Sequence, residues 1–141
     1  MNIDIKEAHR RMLYLLQSFD TVCKKHDIDY WLDYGTLLGA IRHQGFIPWD
    51  TDTDVGMLRS DYALFLDKGV PELPQDIFFQ TPETEPAMAP WSWLVEARLR
   101  DRHIKSPRPS RCSSVDYSWI FSFMIGMVSI RMLCRTVLSG I

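Results

Sequence analysis

The chain has 141 residues, 46% hydrophobic and 24% charged, which is the make-up of one ordinary globular domain with enough apolar surface for a core. Its formal net charge of -2 supplies no overall basic field to draw a nucleic-acid polymer or an anionic membrane. Cys23, Cys112 and Cys134 are odd in number and fit no zinc or redox motif; read as reduced thiols, in a chain opening MNIDIKEAHRR without an apolar export signal, they lead to a cytoplasmic expectation.

Residues 4–25 carry Ile5, Ala8, Met12, Leu15, Leu16, Phe19 and Val22 at steps of three and four, the period of an amphipathic helix. Asp4 suits its N-cap, and Lys24, Lys25 and His26 suit the negative end of its dipole. Residues 27–32 are predicted as a strand with Ile28, Tyr30 and Leu32 on one face. A Gly35-Thr36 turn then leads into a short helix over 37–42. Pro48 closes the next loop, because it cannot continue a helix and biases Ile47 toward an extended backbone.

A second strand is predicted over 52–57, a helix over 60–68 capped by Ser60, and a strand over 77–80. Residues 81–90 read as an acidic, proline-bearing loop. Residues 93–100 alternate, with Trp93, Val95, Ala97 and Leu99 on one face and Leu94, Glu96, Arg98 and Arg100 on the other, which predicts a strand with a mostly basic outer face. Residues 105–114 are basic and Pro/Ser-rich. The apolar run 118–130 is shorter than the roughly 20 residues of a membrane span, so a buried element is expected there and membrane contact is not. The fold class is α+β, a small mixed sheet flanked by helices, with a core over 1–103 and a linker and apolar tail over 104–141.

The chemistry concentrates in Asp50, Asp52 and Asp54. Alternate residues of a strand share a face, and three carboxylates on one face repel one another unless a cation lies among them. A hard cation such as Mg²⁺ relieves that repulsion and keeps coordination sites for phosphate oxygens. The same run also fits a solvated acidic turn. A calcium loop of the EF-hand kind does not fit, because its sixth and twelfth positions counted from Asp50 are Val55 and Asp61 rather than Gly and Glu. Upstream, Gly35 allows close backbone approach and Thr36 places a hydroxyl at a helix start, where amide N–H groups favour anions such as phosphate. A phosphate turn followed by a strand with paired aspartates is the pattern of a nucleotidyltransferase core.

The segment DYGTLLGAIRHQGFIPWDTDTDVGMLRSDY, residues 33–62, with LRDRH at 99–103, resembles the LicD-type phosphocholine transferase family, related to fukutin and the fukutin-related protein. The resemblance implies a nucleotidyltransferase-type fold. It implies transfer of a phospho-alcohol, often phosphocholine, from a CDP-linked donor to a glycan hydroxyl, with Mg²⁺ (or Mn²⁺) as cofactor. By motif position Asp52 and Asp54 look like the metal pair and Gly35-Thr36 like the phosphate turn. Asp50 stands as third ligand or loop-orienting group, and Arg42 as a phosphate binder or a structural residue. Thr51 and Thr53 replace the Asp and Ile that members often carry. Members usually have a further Gly-x-x-Ile-Asp-Ile-Phe-Pro strand with another acidic residue, for which Asp116 is the candidate here. Members are also longer, so the chain is expected to be truncated or altered after about residue 103. Two alternatives stand beside the transferase: a nucleotide- or metal-binding domain without turnover, and a nucleotidyltransferase of different substrate. Trp49 is a loop anchor or a surface for a base or a choline cation.

Overall fold

The computed structural model describes residues 4–84, 86 and 97–102 in full, and the backbone of 119–121. Helix α1 (Ile5–Lys25) buries Ala8, Met12, Leu15, Leu16, Phe19, Val22 and Cys23, the stripe its periodicity lays down. The Asp4 carboxylate caps it by accepting from the Lys6 N–H at 3.0 Å. Its C-terminus closes as a Schellman motif: the Ile28 N–H donates to the Cys23 carbonyl at 2.9 Å, with Asp27 left-handed at φ 55°. That closure takes the N–H groups a strand would need, so the strand expected over 27–32 contracts to β1 (Trp31–Leu32).

Helix α2 (Tyr34–Arg42) starts earlier than expected, because Asp33 caps it by accepting from the Tyr34 N–H at 2.9 Å. Gly35 and Thr36 therefore lie inside its first turn rather than in a turn before it. Strand β2 (Thr53–Gly56) buries Thr53 and Val55 on one face and turns Asp54 to the other, with Asp52 just before the strand and the buried Met57 just after it. Asp50 precedes the strand, at the end of a turn in which the Asp50 N–H donates to the Ile47 carbonyl at 2.9 Å.

The helix expected over 60–68 runs as α3 (Arg59–Leu64), then one wide turn over Phe65–Gly69 and a tight one over Val70–Glu72. Pro71 has no N–H to return to Asp67, and the Phe65 ring covers Gly69 so closely that a Cβ there would stand 2.4 Å from it. Ser60 is not the cap; Leu58 holds that position without a side-chain bond. Strands β3 (Ile77–Gln80) and β4 (Arg98–Asp101) pair antiparallel, Ile77 opposite Asp101 and Gln80 opposite Arg98. Residues 93–96, the rest of the strand expected there, lie outside the described residues.

The central sheet has the order β1-β2-β5, where β5 is Trp119–Phe121. β1 runs antiparallel to β2, and β5 runs parallel to it with Asp54 opposite Ile120. The sheet is thus mixed, as expected, and draws a strand from the segment beyond residue 103. The core joins α1 to both sheets through Leu15, Phe19, Leu32, Val55, Phe65, Ala97 and Leu99. Phe19 and Phe65 meet edge to face at 5.1 Å. At the far side, the Arg11 guanidinium reaches the fully buried Asp101 carboxylate at 3.1 Å, tying α1 to β4. Among the described residues no helix is long and apolar enough to cross a membrane.

Candidate active site

The acidic centre is built where α2 begins and β2 passes. Three short-range contacts place its carboxylates. Asp33, between β1 and α2, donates its N–H to the Asp54 carbonyl at 3.0 Å, extending the β1–β2 ladder by one residue. The buried Thr36 hydroxyl accepts from the Asp54 N–H at 2.8 Å, locking the first turn of α2 to β2. Gly35 leaves room for Asp50, since a Cβ at Gly35 would stand 2.9 Å from Asp50 Oδ2. Asp33 and Asp50 therefore sit against a helix N-terminus, where the dipole favours negative charge.

From α1, His9 Nε2 lies 3.0 Å from the Asp50 carbonyl oxygen, and its ring packs on Phe46 at 5.3 Å. Sequence reasoning gave His9 no role, because nothing local relates it to a residue 41 positions away. Asp33 carries a local signal, a capping residue directly before Tyr-Gly-Thr inside the same motif.

Electrostatics record how tightly the carboxylates are gathered. Burial first, then the charges of Asp52, Asp50 and Asp33, push the Asp54 carboxyl up to about 7. Burial, then the hydrogen bond with Asp50 and its charge, push Asp52 up to about 6, against the opposing pull of Arg98. Gathered carboxylates that hold on to protons at such pH want a cation, and their all-oxygen donor set suits Mg²⁺ or Mn²⁺. Among the described residues no group of three or more His, Cys, Asp or Glu side chains is placed to hold a metal ion. An open pair of carboxylates fits Mg²⁺ nonetheless, because that ion commonly takes one or two carboxylates and completes its shell with water and substrate phosphate.

Of the basic candidates, Arg98 acts on Asp52. Arg42 is exposed in the last turn of α2, about 10 Å along the helix axis from Gly35, and is not brought to the first turn. Trp49 is 76% exposed on the turn before Asp50, edge-on to His43 at 6.3 Å. Trp31 packs over Gly56, on the face of β2 that carries Asp54, where a Cβ would stand 2.5 Å from the indole. Asp116 lies outside the described residues.

Residues 27–122, more than half of the chain, match the family described as LicD/FKTN/FKRP, nucleotidyltransferase domain. The chain belongs to this family. Within the LicD/FKTN/FKRP family it is similar to lipopolysaccharide cholinephosphotransferase LicD of Haemophilus influenzae, 41% identical over 81 residues, which is 57% of this chain and 31% of that protein. It is similar to human ribitol 5-phosphate transferase FKRP, 53% identical over 34 residues, 24% of this chain and 7% of that protein. Mouse ribitol-5-phosphate transferase FKTN is 35% identical over 60 residues, 43% of this chain and 13% of that protein. The chain thus spans about a third or less of these curated relatives. No solved structure matches it.

Proposed function

We propose that this LicD-family domain is the catalytic part of a transferase that moves a phospho-alcohol from a CDP-linked donor to a glycan hydroxyl. The observation that carries the reading is the pair Asp52 and Asp54, just before and within β2, pushed up to about 6 and about 7 by burial and by neighbouring carboxylates. Asp52 and Asp54 would hold the divalent cation, with Asp50 as the group that orients the loop. Mg²⁺ or Mn²⁺ held there would supply positive charge against the diphosphate of the donor.

The chain's own residues do the rest. Arg98 faces the developing phosphate charge beside Asp52. Gly35 and Thr36 serve the phosphate end by fixing where Asp50 and Asp54 stand. Trp49 offers its indole face to the base or to the alcohol. In the reaction the acceptor oxygen bonds to the phosphorus of the alcohol phosphate, the bond from that phosphorus to the bridging oxygen breaks, and CMP leaves. The hydroxyl proton passes to a carboxylate base, for which Asp116 is the candidate, three residues before β5.

The test is CMP release from CDP-choline, or from CDP-linked ribitol, in the presence of Mg²⁺. Asp52→Asn, which keeps shape and loses charge, is expected to abolish release while melting cooperatively; unchanged release would overturn the assignment. A second reading is a domain that binds the donor without turnover. Binding of CDP-choline with no CMP formed supports that reading. A product that carries the nucleotide points instead to a nucleotidyltransferase of different substrate.

A further inference from the structure

One carboxylate oxygen of the acidic centre is unaccounted for. Asp33 Oδ1 accepts from the Tyr34 N–H and caps α2. Asp33 Oδ2 is buried and has no hydrogen-bond partner among the described residues. Capping uses only one acceptor atom, and Asn or Ser would cap α2 as well. An Asn at this position would also bring N–H donors toward the neighbouring carboxylates and would be the better choice for the fold alone. A full carboxylate here adds charge where Asp50, Asp52 and Asp54 already gather, and leaves one buried acceptor unpaired. Asp33 is also fixed in place, because its N–H is bonded to the Asp54 carbonyl.

We propose that Asp33 is a positioning residue of this site, its buried Oδ2 accepting a hydrogen bond from the hydration shell of the divalent cation held by Asp52 and Asp54. Mg²⁺ and Mn²⁺ keep several waters when bound by few carboxylates, and those waters need acceptors. Partners of this kind typically change metal affinity by about 10- to 100-fold when they are removed. The inference rests on the reading of Asp52 and Asp54 as cation ligands, and the experiment separates the two.

Mn²⁺ alone is titrated into wild type, Asp33→Asn, Asp33→Ser and Asp52→Asn, with free Mn²⁺ followed by electron paramagnetic resonance and each variant melted in EDTA. Both Asp33 variants keep a capping oxygen, so one folded variant suffices. The expected result is Mn²⁺ affinity about 10- to 100-fold weaker in the Asp33 variants, with melting midpoints in EDTA at or above wild type. Wild-type affinity in both Asp33 variants, with binding lost in Asp52→Asn, overturns the role of Asp33 and leaves it a helix cap. No Mn²⁺ binding by wild type, or binding unchanged in Asp52→Asn, overturns the cation site itself and this inference with it.

Discussion

The Thr36 hydroxyl accepts the Asp54 backbone N–H at 2.8 Å, and this bond joins the first turn of α2 to the strand that carries the acidic pair. Thr36 is 4% exposed, so water cannot replace the acceptor when it is removed. Thr36→Val keeps the shape and leaves the Asp54 N–H unsatisfied, at a cost of about 1–3 kcal/mol. Thr36→Ser keeps the oxygen and should cost less. Urea unfolding of the two variants checks this; equal losses would mean that the methyl group matters rather than the bond.

Gly35 and Asp50 form the second junction. A Cβ on Gly35 would stand 2.9 Å from Asp50 Oδ2, but the atom it meets is the tip of a side chain that can swing aside. Gly35→Ala should therefore fold, with a melting midpoint within a few degrees of wild type, since Ala is the better helix former by up to about 1 kcal/mol. Displacement of Asp50 should weaken Mn²⁺ binding by about tenfold or more. Undiminished binding would show that the position of Asp50 is immaterial.

The raised carboxyls set the pH dependence of the metal-free chain. Asp54 at about 7 and Asp52 at about 6 in the folded state lie above their unfolded values, so folding takes up protons between about pH 4 and 7. Their stabilising protonation is complete below the unfolded pKa and is lost as pH rises through the folded one. In EDTA the midpoint should fall as pH goes from 5 to 8. Asp54→Asn should flatten that slope and stabilise the chain at pH 8 by roughly 1–2 kcal/mol, allowing for solvent screening. Mg²⁺ at pH 8 should restore the wild-type midpoint. A midpoint that rises with pH would contradict the crowding of these carboxylates.

Arg11 and Asp101 form a tertiary ion pair at 3.1 Å, with the Asp101 side chain 0% exposed. Arg11→Met keeps most of the apolar stem and removes the positive charge beside the buried Asp101 carboxylate. The expected loss is about 2–3 kcal/mol, below the full cost of an orphaned buried charge because Arg11 itself is partly exposed. Asp101→Asn paired with Arg11→Met should recover part of it, which a double-mutant cycle in urea would measure.

Asp27 closes α1 in the left-handed region at φ 55°, a conformation that Gly adopts without strain. Asp27→Gly is expected to raise stability by about 0.5–1 kcal/mol, the strain relieved being partly offset by added freedom of the unfolded chain. A lowered midpoint would show that the Asp27 side chain contributes more than its backbone costs.

The sequence alone determined whatever is governed by near neighbours. Its period of three and four drew α1 and the buried stripe from Ala8 to Val22, because a helix face is a matter of spacing. Alternation set Thr53 and Val55 inward and Asp54 outward on β2, and buried Ala97 and Leu99 at the start of β4. The motif of residues 33–62 placed the chain in its family. Element ends were less legible, since they turn on which N–H or carboxylate closes each helix: Asp33 opened α2 early, and Asp27 with Ile28 took the start of β1. Only the tertiary structure decided how the carboxylates are gathered. It brought Asp33 beside Asp54 through one added ladder bond and set Asp50 against Gly35. It hung the Asp50 carbonyl from His9, 41 residues away, and aligned β5 with β2. The pKa shifts of Asp52 and Asp54 arise from that gathering and its burial, and a string of residues carries neither distance nor dielectric.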